Sequence, residues 1–352
     1  RSEDADLEVI SFTSHDEELA LSLAGPAAVA IENNMLLRSI EGLFEGFVKA
    51  SVTAIESRDP TTSGHSQRVA DYTVELARVV DRSEGRFRDI KFTRDQIKEI
   101  RYAGLLHDFG KVGVREEVLI KAKKLYPSGL DLLQGRFDFI RRTIQFEGAE
   151  RKLREPSSTA KIDEDTTRRL GEVDACHAMI LSFNEPTILE EGSFERILEI
   201  ARRTYRDMSG KDIPYLHPNE IEALSIRRGS LTKDERLEIE SHVTHTYRFL
   251  SQIPWTGELR HIPEIAHAHH EKLNGLGYPL ALPAERIPVQ SRMMTVSDIY
   301  DALTASDRPY KKAVPVARAL DILKMEADGG MVDRELFNLF VEAKVYEKVV
   351  AA

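Results

Sequence analysis

The chain has 352 residues, 41% of them hydrophobic, enough for one large domain with an appendage. Its net charge of −10 excludes broad binding to duplex nucleic acid, which requires an extended basic face. The lone cysteine, Cys176, excludes an internal disulfide framework and fits a reducing, cytoplasmic compartment. No apolar run approaches the roughly 18 residues of a membrane span, so none is expected. The N-terminus, "RSEDADLEV", lacks the layout of a signal peptide, and without an initial Met it reads as a trimmed chain. In chain order, residues 15–40 read as helical, with a break expected at Gly25-Pro26. Ile40, Leu43, Phe44, Phe47, Val48, Val52 and Ile55 then follow amphipathic helix spacing, which suits core packing or a connecting, dimerising helix. "RDPTTSGHS" interrupts the pattern and "HSQRVADYTVELARVV" resumes it. "TRDQIKEIRYAGLLHDFGKVG" predicts a helix up to Phe109. Residues 121–230 are charge-rich and divided by Pro127, Pro156, Pro186, Pro214 and Pro218 into helices and loops. From "LTKDERLEIESHVTHTYRFL" onward, helix follows helix. Period-2 alternation is scarce, so the predicted fold is mostly α.

Histidine is unevenly distributed: His242, His245, His261, His267, His269 and His270 crowd one short stretch. Imidazole with carboxylate makes mixed N/O sites for iron, manganese or zinc. The potential ligands fall into four groups: His65; His107 with Asp108; His242 with His269 and His270; and Asp298. Neighbouring helical residues point about 100° apart. His107 and Asp108 therefore suit two ions roughly 3.5–4 Å apart better than one. A bridging Asp108 would explain an acid at the end of the apolar "AGLL" run, since a buried carboxylate needs a partner. A lone His-Asp pair more often marks a salt-bridged helix end, His245 and His267 read as structural, and Asp298 and Asp301 also fit surface acids. The joint occurrence favours metal. "HHEKLNGLGYP" adds Gly275, Gly277 and Tyr278, with glycines that would let backbone approach a ligand closely. Lys111, Arg308, Lys311 and Lys312 are candidate phosphate contacts.

With "GHSQRV", "HDFGK", "HHEKLNGLGYP" and "DIYDALTASDRPY" in this order, the chain resembles the HD-GYP family of HD-domain phosphohydrolases over roughly residues 45–120 and 231–350. The resemblance implies an HD-type helical bundle over residues 41–352, interrupted by a helical insertion at about 121–230. It implies two divalent transition metals, iron or manganese with zinc as the alternative, and hydrolysis of cyclic di-GMP to pGpG and in some members on to GMP. By motif, His65, His107, Asp108 and Asp298 match ligands of one metal, and His242, His269 and His270 with the bridging Asp108 match those of the second. His245 competes with His242, because "SHVTH" lacks the family's His-Pro. Lys111, Gly277, Tyr278, Arg308 and Lys311 match substrate-contacting positions, with Asp108 and Lys111 carrying catalysis. Thr61 replaces the glutamate of three-metal members, and Asn274 replaces an aspartate. Residues 1–40 resemble the last strand and helix of a GAF sensory domain leading into the connecting helix, which implies a homodimer through that helix. Two rival readings stand beside this one: a phosphohydrolase of another nucleotide, and a receptor that binds cyclic dinucleotide without cleaving it.

Overall fold

Strand-forming alternation is scarce in the sequence, and the described residues accordingly hold fourteen α-helices and a single hairpin. These are residues 12–59, 63–305 and 313–349 of the computed structural model. The chain divides into residues 1–54 and 55–352. Helix α1 (Ser14–Glu56) runs through Gly25 and Pro26 without the expected break. A proline forfeits a helical hydrogen bond, but Ala20, Ala24, Ala27, Ala28 and Ala30 on either side are the strongest helix formers. The strand expected before it begins in residues outside the described ones, so the GAF-like assignment reduces here to one helix.

The larger part starts with α2 (His65–Arg82) and α3 (Arg94–Leu106), followed by a 3-10 turn (Phe109–Gly113) and the short α4 (Glu116–Leu119). Residues 121–230 contribute α5 (Pro127–Arg154), α6 (Thr159–Phe183), α7 (Ser193–Ala201), strands β1 (Thr204–Arg206) and β2 (Asp212–Pro214), and α8 (Pro218–Leu224). The strands pair antiparallel with Tyr205 opposite Ile213, a hairpin that residue patterning did not predict. After it come α9 (Lys233–Leu250), α10 (Ile262–His267), α11 (Val289–Thr304), α12 (Val316–Asp328), α13 (Arg334–Glu342) and α14 (Val345–Lys348).

Threonine starts two of the helices that matter. Thr93 before α3 and Thr232 before α9 each form a capping box, with Gln96 and Glu235 answering from the first turn. Two cores result. Leu76, Val80, Ile100, Met293, Val296, Leu323, Leu336 and Phe340 fill the space between α2, α3 and α11–α13. Leu133, Phe137, Ile140, Val173, Ile180, Ile197 and Leu224 fill a separate one within residues 121–230. The two ends of this stretch meet, and the Ser230 hydroxyl donates to the Lys121 carbonyl at 2.8 Å. Glycine sets two close crossings. A Cβ on Gly104 would lie 2.8 Å from Ala70 Cα, and one on Gly110 would lie 1.9 Å from the His242 carbonyl oxygen. Only a bare backbone lets α3 press on α2 and lets the 3-10 turn press on α9.

Candidate metal centre

α3 ends at Leu106, three residues before the expected Phe109. His107 keeps helical dihedrals, whereas Asp108 leaves the helix at φ −98° and ψ 5°. That departure removes the 100° splay of helical neighbours, and His107 Nε2 lies 3.5 Å from Asp108 Oδ2. The turn is held against α9 by Thr246, whose hydroxyl accepts from the Gly110 amide at 2.8 Å and donates to the His107 carbonyl at 3.0 Å.

Four histidines are oriented by the nitrogen that faces away from the centre. His107 Nδ1 lies 2.7 Å from the Gly104 carbonyl, His242 Nδ1 2.5 Å from Ile239, and His269 Nδ1 2.6 Å from Ala266. His65 Nδ1 lies 2.7 Å from Asp301 Oδ2, and Arg68 donates to the same carboxylate. Fixing one ring nitrogen on an oxygen leaves Nε2 as the lone-pair donor, the usual supporting arrangement of a metal-bound histidine. The Nε2 atoms then converge. His65 Nε2 is 3.2 Å from Asp298 Oδ1 and 3.8 Å from Asp108 Oδ2, while His242 Nε2 is 3.2 Å from Asp108 Oδ1. Asp108 thus turns one oxygen toward His65 and His107 and the other toward His242. His269 and His270 pack ring to ring at 4.0 Å, and His270 Nδ1 is 3.9 Å from Asp298 Oδ2. His242, not His245, enters the cluster. The His245 ring instead covers Gly113, and His267 stacks on Tyr247 at 4.3 Å. Asp298 and Asp301 are buried, so the surface-acid reading fails for both.

The electrostatics describe a site that demands positive charge. Burial opposes ionisation of Asp108, yet Lys111 and the surrounding imidazoles hold it well below the usual carboxylate range. Burial likewise opposes charge on His65, but hydrogen bonds to Asp298 and Asp301 outweigh it and raise this imidazole to about 9. Burial holds His269 and His270 down, reinforced at His269 by His270 and at His270 by His242, with His270 lowered to about 4. In the ion-free chain a proton on His65 therefore occupies the place of a cation among three carboxylates. Within the cluster, two buried nitrogens lack any hydrogen-bond partner: His242 Nε2 and His269 Nε2. His242 Nε2 is near Asp108, but off the hydrogen-bonding direction. Orphaned, inward-facing imidazoles are costly unless something accepts their lone pairs. Three groups place their donor atoms within 4.8 Å of one another: His242, His269 and His270; His65, His107 and Asp298; and His107, Asp108 and His269. The residues present fit divalent transition metals, and the described clusters can hold them.

The rim carries the remaining predicted residues. Lys111 Nζ lies 2.9 Å from Asp108 Oδ2 and 3.2 Å from Asp59 Oδ2, at the edge of the cluster. The Tyr278 ring sits 4.8 Å from that of His270, whose side chain is partly exposed. Burial pushes the Tyr278 phenol above its ordinary range, so it stays a protonated donor. At Gly277 a Cβ would lie 2.3 Å from the Lys272 amide nitrogen, so packing within the loop by itself requires a glycine there. Arg308, Lys311 and Lys312 lie outside the described residues. Sequence reasoning gave no role to Asp301, Thr246, Asp59 or Glu271. Glu271 is buried and accepts from the Leu280 and Leu282 amides at 2.7 and 2.9 Å, fixing the Tyr278 loop. Its place directly after "HH" was the available signal; Thr246 and Asp59 had none.

Residues 62–179 and residues 213–336 each match an HD-domain model. Both halves of the cluster lie in HD-domain sequence. His65, His107 and Asp108 come from the first HD match, and His242, His269, His270 and Asp298 from the second, so the two segments build one centre. The chain is 34% identical over 102 residues to a 3'3'-cGAMP-specific phosphodiesterase of Vibrio cholerae, covering 29% of this chain and 21% of the relative. It is 37% identical over 115 residues to a cyclic di-GMP phosphodiesterase of Pseudomonas aeruginosa, covering 33% and 27%. Over 132 residues it is 35% identical to a cyclic di-GMP phosphodiesterase response regulator of Xanthomonas campestris, covering 36% and 31%. The chain thus spans about a fifth to a third of the length of these relatives. Relatives of this kind and the HD matches support an HD-GYP-like family. No described helix is long and apolar enough to cross a membrane.

Proposed function

We propose that this chain is a metal-dependent phosphodiesterase of cyclic dinucleotides, cleaving cyclic di-GMP to pGpG and onward to GMP at a two-metal centre. One observation carries the reading: the inward Nε2 atoms of His65, His107, His242 and His269 surround Asp108 while their Nδ1 atoms are held from behind. His65, His107, Asp108 and Asp298 would hold one ion, and His242, His269, His270 and Asp108 the other. When bound, such ions, iron or manganese before zinc, supply Lewis acidity and an activated water for in-line attack on phosphorus. Asp108 shares its two oxygens between the ligand groups. Lys111 steadies that carboxylate and offers positive charge to the phosphoryl oxygens. Tyr278 lies beside His270, where it can donate a hydrogen bond and pack against a base. Arg308 and Lys311 would contribute the phosphate contacts, and α1 would pair two chains as a homodimer.

Since Vibrio relatives are named for 3'3'-cGAMP, that dinucleotide is the second reading of the substrate. Protein loaded with Fe(II) or Mn(II) without oxygen, then given cyclic di-GMP or 3'3'-cGAMP, tests both. Appearance of pGpG and GMP is expected. Binding of both dinucleotides without cleavage would leave a receptor, and cleavage of 3'3'-cGAMP alone would reassign the substrate. Asp108→Ala should lose both bound metal and turnover, and a variant keeping its metal would remove the bridging role.

A further inference from the structure

α1 ends within reach of both halves of the candidate centre. Glu56 is its last residue, and its carboxylate turns toward the start of α2. One oxygen, Oε2, accepts from the Gly64 amide at 2.9 Å, and the other, Oε1, accepts from the Ser66 amide at 3.2 Å. The first amides of a helix have no partners within it, and Gly64, which precedes α2, carries no side chain to supply one. A carboxylate suits that place, because its charge complements the positive end of the helix dipole and strengthens both hydrogen bonds. His65 stands between the two bonded amides, so Glu56 fixes its backbone while Asp301 fixes its ring.

Two residues further on, Arg58 grips the other half. Its guanidinium donates through Nη1 to the Val112 carbonyl at 2.7 Å and through Nη2 to the Val114 carbonyl at 3.3 Å. These carbonyls belong to the far end of the 3-10 turn that Asp108 opens and Thr246 holds against α9. One short stretch thus carries a hold on α2 and a hold on the turn. The ligands these elements carry face each other, with His65 Nε2 3.8 Å from Asp108 Oδ2. A carboxylate on two amides and a planar fork on two carbonyls each constrain direction as well as distance, which a single hydrogen bond does not. Both residues bond backbone, so they act on the donor atoms through the elements that carry them.

We propose that Glu56 and Arg58 are positioning residues of the metal centre, through which the end of α1 sets the separation of His65 and Asp108. These roles rest on the metal-centre reading, and cobalt uptake tests the two separately. The full chain, stripped by a chelator, is titrated with Co(II), whose visible absorption reports the geometry of its ligands. Glu56→Gln keeps the size but loses one of the two acceptors, and Arg58→Lys keeps the charge but loses the fork. Each should bind Co(II) about tenfold more weakly than the unaltered chain and shift its absorption bands, with circular dichroism unchanged. Arg58→Lys carries the test alone if Glu56→Gln does not fold. Thr93→Ala is the comparison. It removes the cap of α3 at the end far from His107, so it should lower the thermal midpoint and leave Co(II) affinity and bands as they were. Unaltered affinity and bands in both Glu56→Gln and Arg58→Lys would overturn the proposal and leave these contacts a purely structural role. An unaltered chain that takes up no Co(II) would instead overturn the metal centre, and the positioning roles with it.

Discussion

His65 shows how the centre is supported. Its Nδ1 rests on Asp301, and Asp301 in turn is gripped by Arg68 through Nε at 2.6 Å. Asp301→Asn keeps the shape but weakens the acceptor, and supporting residues of this kind typically change metal affinity about 10–100-fold. Competition with a chromogenic chelator should report such a loss in Asp301→Asn, and the thermal midpoint should fall as well, because the largely buried Arg68 loses its carboxylate partner. The titration of the same imidazoles sets the acid and alkaline limits of the ion-free fold. His270 is lowered to about 4, below the 6.5 of an exposed imidazole, so between these values the unfolded chain binds more protons and stability rises with pH. His107 and His269, also lowered by burial, act in the same direction. His65, raised to about 9, does the opposite: its contribution is complete below 6.5 and is lost as pH rises through about 9. Urea midpoints of the chelated protein should therefore peak near the ordinary imidazole value and fall on both sides, whereas metal-loaded protein should hold its stability through the alkaline window.

Among the elements, the contact between the 3-10 turn and α9 decides whether the two halves of the site meet. A methyl group on Gly110 would collide with the backbone of His242 and Thr246, neither of which can swing aside as a side chain would. Gly110→Ala should therefore cost about 1–3 kcal/mol by overpacking. It should also lower metal content by displacing His242 from Asp108. Chemical denaturation together with metal analysis checks both effects, and a variant losing stability while keeping full metal would show that α9 adjusts without moving His242. The same scale explains why helix boundaries in the sequence misplaced the end of α3. Nothing local stops a helix at Leu106. The turn is imposed by Thr246, which lies 139 positions away from His107 and bonds its carbonyl. Pro26 errs in the opposite direction, since a local breaker is overruled by its alanine-rich flanks.

At the scale of the molecule, residues 121–230 are packed as a unit. They have their own core, and their ends are tied together by Ser230 and Lys121. Replacing residues 122–229 by a short linker should leave a helical chain that binds metal with its ligand set intact, as measured by circular dichroism and elemental analysis. Loss of metal in that chain would show that residues 122–229 hold α9 in place, as through Tyr126, whose hydroxyl donates to Glu235 at 2.6 Å. The helical class, the order of the motifs and the choice of His242-type donors were legible from residues alone, because periodicity and ligand chemistry are properties of short segments. The convergence of His65 with Asp301, the tie of Thr246 to the turn, the packing reason for Gly277 and the reach of Arg58 to the same turn were not. Each depends on which segments meet in space, and only tertiary packing decides that.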